Sequence, residues 1–135
     1  TVVSSCNDAF AEHVSALFVS VLENAEQPTE NFDFYVIDDE ITIANKRLMR
    51  ETIKGYDASL HFMTIDKKYF ADAVESDRIP ETAYYRSAIP ELFRDKGLER
   101  ILYLDCDSGH TKVHVVIKLH RTRYAHTLAY THEFI

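Results

Sequence analysis

The chain has 135 residues, 46% of them hydrophobic and 27% charged, with only 3 Gly and 3 Pro. Since domains run to roughly 100–200 residues, this composition describes one globular domain with a packed core and excludes disordered, collagen-like and linker-rich classes. The formal charge of −7 repels phosphate backbones and anionic membranes, so no nucleic-acid partner is expected, although a local cation can still receive a nucleotide's phosphates.

Thr1 to Ser5 is a short β-branched run, followed by the polar cluster Ser4-Ser5-Cys6-Asn7-Asp8. A helix is predicted from Ala9 to about Asn24, because Phe10, His13, Val14, Leu17 and Val21 recur at three- and four-residue spacings, with Asp8 as its cap. Phe32 to Ile37 is a compact apolar run ending in Asp38-Asp39, the pattern of a strand covered on both faces. A second helix is predicted over Thr42 to Tyr56, stopping at Gly55, and a third strand over Leu60 to Ile65. Helical stretches follow at Lys67 to Val74 and at Thr82 to Arg94, the latter shortened or kinked by Pro90. Glu99 to Leu104 is a fourth strand that runs into Asp105-Cys106-Asp107.

After Ser108 the texture changes. Five of the seven histidines (His110, His114, His120, His126 and His132) fall there, and apolar residues alternate with polar ones around Val113 to His120. That alternation predicts a half-exposed strand, antiparallel or at an edge. An edge strand leaves unpaired amides and carbonyls, so a homo-oligomer is expected. No apolar run reaches the roughly 18 residues that span a bilayer. Cys6 and Cys106 have no CxxC spacing, which argues against a zinc ribbon or a disulfide framework and suits a reducing cytoplasm.

Alternating strands and helices imply right-handed crossovers, a mostly parallel sheet flanked by helices in three layers, and ligands at the carboxyl ends of the strands. Asp38, Asp66 and Asp105 all fall at or near such ends. Asp105 and Asp107 offer hard oxygens to Mn2+ or Mg2+, and such an ion can bridge a diphosphate. Acid pairs at strand ends also serve as solvated loop starts or helix caps, and Arg86 could equally be a surface arginine paired with Glu91 or Asp95. His110, three residues beyond Asp107, is a further candidate ligand; His114 and His120 read as the polar face of a strand.

Four segments occur in order: Val2-Val3-Ser4-Ser5 with its acid-containing loop and Phe10-Ala11, Phe34-Tyr35-Val36-Ile37-Asp38-Asp39, Tyr84-Tyr85-Arg86 with Ile89-Pro90-Glu91-Leu92, and Ile101-Leu102-Tyr103-Leu104-Asp105-Cys106-Asp107. In that order the chain resembles glycosyltransferase family 8, over residues 2 to about 107. The resemblance implies a glycosyltransferase A fold, which is a Rossmann-like nucleotide-binding half. It also implies a UDP-sugar donor (UDP-galactose or UDP-glucose), Mn2+ or Mg2+, retention of anomeric configuration and a saccharide or lipopolysaccharide acceptor. By resemblance Asp105 and Asp107 are metal ligands, and Arg86 approaches the donor sugar or diphosphate, where its fork suits phosphate oxygens. Ser5, Asn7 and Asp8 border the uridine. Cys106 is counted with the donor-binding residues by its place between the acids, its thiol directed to the core. The implied setting is cytoplasmic, peripheral to the inner face of the membrane.

The chain departs from the family pattern in Asn7-Asp8-Ala9, where an Asp followed by an acid and Asn is common. After Asp107 it shows no match to the family's acceptor-binding half or late His. Residues 1–107 therefore read as the nucleotide-sugar-binding domain and 108–135 as an atypical strand segment of the same domain. The expected function is a retaining hexosyltransferase or its donor-binding portion. The alternatives are a non-catalytic nucleotide-binding or assembly remnant, and a receiver-like or phosphatase-like domain, for which no suitable Lys or Thr follows a later strand.

Overall fold

The computed structural model describes residues 1–25, 32–66, 68, 81–106, 114–118 and 130–133. The helix expected over Lys67 to Val74, Asp107, His110, His120 and His126 lie outside the described residues.

The first strand, β1 (Val2–Asn7), is buried from Val2 to Cys6 and runs two residues past its expected end. Ser4 and Ser5 do not break it because both are buried and pair with Val36 and Ile37 of the neighbouring strand, which outweighs the turn preference of serine. A single 3-10 turn, Asp8–Phe10, leads into helix α1 (Ala11–Glu23). Its buried positions Ala11, Val14, Ser15, Phe18 and Leu22 recur at helical spacing. Ser15 is tolerated there because its hydroxyl donates to the Ala11 carbonyl at 3.0 Å.

Strand β2 (Phe32–Asp39) pairs in parallel with β1 from Val2↔Phe34 to Asn7↔Asp39. Helix α2 (Ile43–Ile53) starts at Thr42, whose hydroxyl accepts from the Asn45 amide, and it ends two residues before Gly55. Strand β3 (Ala58–Met63) pairs in parallel with β2 from Phe32↔Ala58 to Ile37↔Met63, so it begins two residues earlier than expected. Helix α3 (Glu81–Leu92) carries Pro90 inside its last turn without breaking, and the Phe93 amide still reaches the Ile89 carbonyl at 3.1 Å. A 3-10 turn, Arg94–Lys96, and left-handed Gly97 then turn the chain into β4 (Arg100–Leu104).

The sheet order is β3-β2-β1-β4 followed by β5 (His114–Lys118) and β6 (Tyr130–Glu133). The first four strands are parallel; β5 pairs antiparallel with β4, and β6 antiparallel with β5. The alternating tail strand is therefore antiparallel as expected. It is not the outermost strand, because Tyr130–Glu133, unread in the sequence, lies outside it.

One face of the sheet packs Val2, Cys6, Phe34, Val36 and Leu104 against Val14, Phe18 and Leu22 of α1 and Met49 and Ile53 of α2. The other packs Val3, Ile37, Ile101 and Tyr103 against Tyr85 and Ile89 of α3 and Phe93 just beyond it. The opposite siting of α3 follows from handedness. Two right-handed crossovers walk outward from β1 to β3, and the return to β4 on the far side of β1 places its helix on the other face. The result is the three-layer α/β architecture expected from the sequence. No helix among the described residues is long and apolar enough to cross a membrane.

Candidate functional site

The strand order reverses at β1, which has β2 on one side and β4 on the other, so the crevice beyond the carboxyl ends of β1 and β4 is the topological switch point. Asn7 and Asp8 leave β1 here, Asp39 ends β2, and Asp105 follows β4. Open parallel sheets bind ligands in this crevice because the crossover loops splay apart only where the winding changes direction.

Arg86 reaches the crevice from α3. One of its terminal nitrogens donates to Asp105 Oδ2 at 3.2 Å, with both side chains about one-third exposed. Its guanidinium lies over the Tyr103 ring at 5.2 Å from the centroid. Among the described residues, the Arg86 Nε is buried without a hydrogen-bond partner. Glu91, offered by the sequence as a surface partner for Arg86, instead pairs with Arg94. The arginine and the first acid of Asp105-Cys106-Asp107, 19 residues apart, are thus brought together.

Beneath Arg86, the Tyr103 hydroxyl and Ser5 Oγ share a buried hydrogen bond of 2.9 Å. Burial raises the Tyr103 phenol above its ordinary range, against the lowering effect of its bond to Ser5. Ser5 is buried, so its hydroxyl belongs to the floor of the crevice, while Asn7 is exposed at the rim. The Cys106 thiol donates to the Ser5 carbonyl at 3.0 Å and packs against the core face that contains Cys6. Its core-directed placement agrees with the sequence reading.

Asp8 does not cap α1. Its Oδ1 accepts from the Thr42 amide (2.8 Å), the Thr42 hydroxyl (2.9 Å) and the Asn45 side-chain nitrogen (2.8 Å). Those bonds, the Thr42 amide first, hold its carboxyl below the usual range. The reason is geometric: the chain enters α1 through a 3-10 turn, and the start of α2 presents donors beside the end of β1. Asp38 accepts from the Ile41 amide at 2.7 Å and pairs with Lys46, and Glu40 between them adopts a left-handed conformation (φ 61°).

Sequence reasoning missed Tyr103, Thr42 and Asn45. Thr42 at a helix start, with Asn45 three residues on, was a legible capping signal; Tyr103 inside an apolar strand gave none. Among the described residues no three His, Cys, Asp or Glu side chains converge as a metal cage.

A family model described as glycosyl transferase family 8 matches residues 1–110. General stress protein A of Bacillus subtilis (strain 168) is 38% identical over 107 residues, which are 79% of this chain and 37% of that protein. The chain therefore spans little more than a third of the length of this curated relative. Among solved structures, the apo form of the bifunctional glycosyltransferase WbbM is similar with a TM-score of 0.60 at 23% identity, over 83% of this chain and 19% of WbbM. The galactosyltransferase LgtC, solved with donor and acceptor sugar analogues, is similar with a TM-score of 0.59 at 24% identity, over 78% of this chain and 37% of LgtC. These likenesses carry the fold. Ordered motifs, a switch-point crevice holding Arg86 against Asp105, and a family match over most of the residues converge on one assignment: the chain belongs to glycosyl transferase family 8.

Proposed function

We propose that the chain forms the donor-binding part of a retaining hexosyltransferase that takes UDP-galactose or UDP-glucose with Mn2+ or Mg2+ and passes the hexose to a saccharide acceptor. The observation that carries this reading is the Arg86–Asp105 pair at the switch point, with Arg86 Nε buried and unpartnered. A buried donor without an acceptor is costly, and a diphosphate oxygen is the acceptor that a guanidinium fork suits best.

The residues present fit a hard divalent cation. Asp105 is a carboxylate about one-third exposed at a strand end, and Asp107, two residues further, supplies a second carboxylate by sequence. When bound, the ion neutralises charge that builds on the departing diphosphate. Arg86 steadies the same oxygens, and Tyr103, anchored by Ser5, supports the guanidinium from below. Asp8 has its Oδ1 committed to α2, which fixes the loop after β1 in position to border a uridine together with Asn7.

Calorimetry with UDP tests the reading. Binding is expected with Mn2+ and is expected to fall at least about tenfold in excess chelator, in the Asp105→Ala/Asp107→Ala double variant, and in Arg86→Gln, as loss of a charge-assisted hydrogen bond implies. UDP affinity indifferent to chelator and to these substitutions would sink it.

A further inference from the structure

The chain has two cysteines, one at each of the strands that frame the crevice. Cys6 is the last but one residue of β1, and Cys106 lies two residues past β4. Val2 pairs with Leu102 and Val3 with Tyr103 in a parallel ladder, and Cys6 and Cys106 each lie three residues beyond its last pair. Side chains alternate between faces, and this pair shares one: Val2, Cys6, Leu102, Leu104 and Cys106 all belong to the core face under α1 and α2, whereas Val3, Ile101 and Tyr103 belong to the other. The hydrogen bond from the Cys106 thiol to the Ser5 carbonyl holds its sulfur against the peptide that leads into Cys6.

A disulfide requires Cα atoms about 4.4–6.8 Å apart, and the Cys106 sulfur already lies against the peptide between Ser5 and Cys6. Cys106 is half-buried and Cys6 almost wholly buried, its thiol pushed up to about 12 chiefly by that burial, so the oxidant reaches Cys106 first and the attack by Cys6 is the slower step.

We propose that Cys6 and Cys106 are a modification site, forming a reversible cross-strand disulfide with Cys106 as the point of attack and Cys6 as the resolving thiol. With oxidised glutathione as oxidant, the Cys106 sulfur attacks one sulfur of the glutathione disulfide and releases one glutathione. Cys6 then attacks the Cys106 sulfur and releases the second. The two thiol protons leave with the two reduced glutathione molecules, and the protein is oxidised by two electrons. The cross-link falls on the residue between Asp105 and Asp107, so it fixes the carboxyl end of β4 to the floor of the crevice. The inference does not depend on the donor-binding reading.

The test uses the wild-type chain, equilibrated with mixtures of reduced and oxidised glutathione in native buffer and, separately, in denaturant. Intact mass and free-thiol counts are read after acid quenching. The native chain is expected to end as a monomer lighter by two hydrogens, without free thiols. Its protein disulfide should form at a ratio of oxidised to reduced glutathione at least about tenfold lower than in denaturant, because the fold aligns the two sulfurs. A native end state carrying one glutathione with Cys6 still reduced, a disulfide-linked dimer, or no advantage over the denatured chain would each overturn the proposal.

Discussion

Asp8 ties together two parts of the chain 34 residues apart, and its charge does the tying. Three donors converge on one oxygen, so the carboxyl is held below its ordinary value in the folded state. A depressed folded value means that the stability contribution is complete above the unfolded aspartate value of about 3.9 and is lost as pH falls through the lower folded value. Asp8→Asn is expected to unfold at a lower temperature than wild type at neutral pH, with the difference shrinking on acidification below about pH 4. Thermal melts followed by circular dichroism across that range check it, and a difference constant with pH would show that the charge is not what matters. At this scale the sequence was partly readable. Asp105 and Arg86 stood out only through the ordered motifs that carry the family resemblance, because acids at strand ends and arginines on helices have common structural uses. Tyr103 stayed hidden because its ring is core while its hydroxyl and face serve the crevice, and one letter cannot show both roles. Asp8 was misjudged because its partners come from α2, which no local capping rule consults.

Helix α1 is anchored by Phe18, which stacks on Phe34 of β2 at 4.3 Å between centroids with both rings buried. Phe18→Ala is expected to cost about 3–5 kcal/mol, as removal of a fully packed aromatic does, and denaturant unfolding measures it. A loss under about 1 kcal/mol would mean that the site collapses and refills. Elements with a strong period, α1 and the apolar β2 and β4, were legible to within a few residues. The errors lie where pairing overrides propensity. Serines 4 and 5 read as the start of a loop yet pair with Val36 and Ile37 of β2, and β3 begins at Ala58 because β2 offers Phe32 and Asp33 as partners. Strand β6, Tyr130-Thr131-His132-Glu133, is too short to show a period. It exists because β5 offers an open side.

Among the described residues the sheet ends in β3 on one side and β6 on the other. The expected self-association through the tail shifts one strand outward, since β5 is covered by β6 on one side and β4 on the other. Light scattering at low micromolar concentration is expected to show a species larger than a monomer. Successive residues of an edge strand turn their amides alternately inward and outward, so one of Thr131→Pro and His132→Pro is expected to dissociate it without disturbing the β5 ladder. A monomer in the unmodified chain would refute association. The sheet's order was accessible from the alternation of elements and the handedness of crossovers, while its outer limit was not, because nothing local states where a sheet stops.

Of the described strands, β1 precedes the others in the chain and lies inside the sheet. Its partner on one side, β2, arrives about 30 residues later, but its partner on the other, β4, is 100 residues away in sequence. On a ribosome, β1, β2 and β3 with α1 and α2 can assemble while the flank of β1 that will receive β4 still faces water. Until Arg100–Leu104 emerges, the backbone groups on that flank have no cover from β4, and Val3 and Ile37 lack their core neighbours Ile101 and Tyr103. Long-range pairing of this kind slows folding and exposes a template for wrong partners. The crevice therefore cannot close before β4 emerges, and until then the open flank of β1 is exposed to wrong partners.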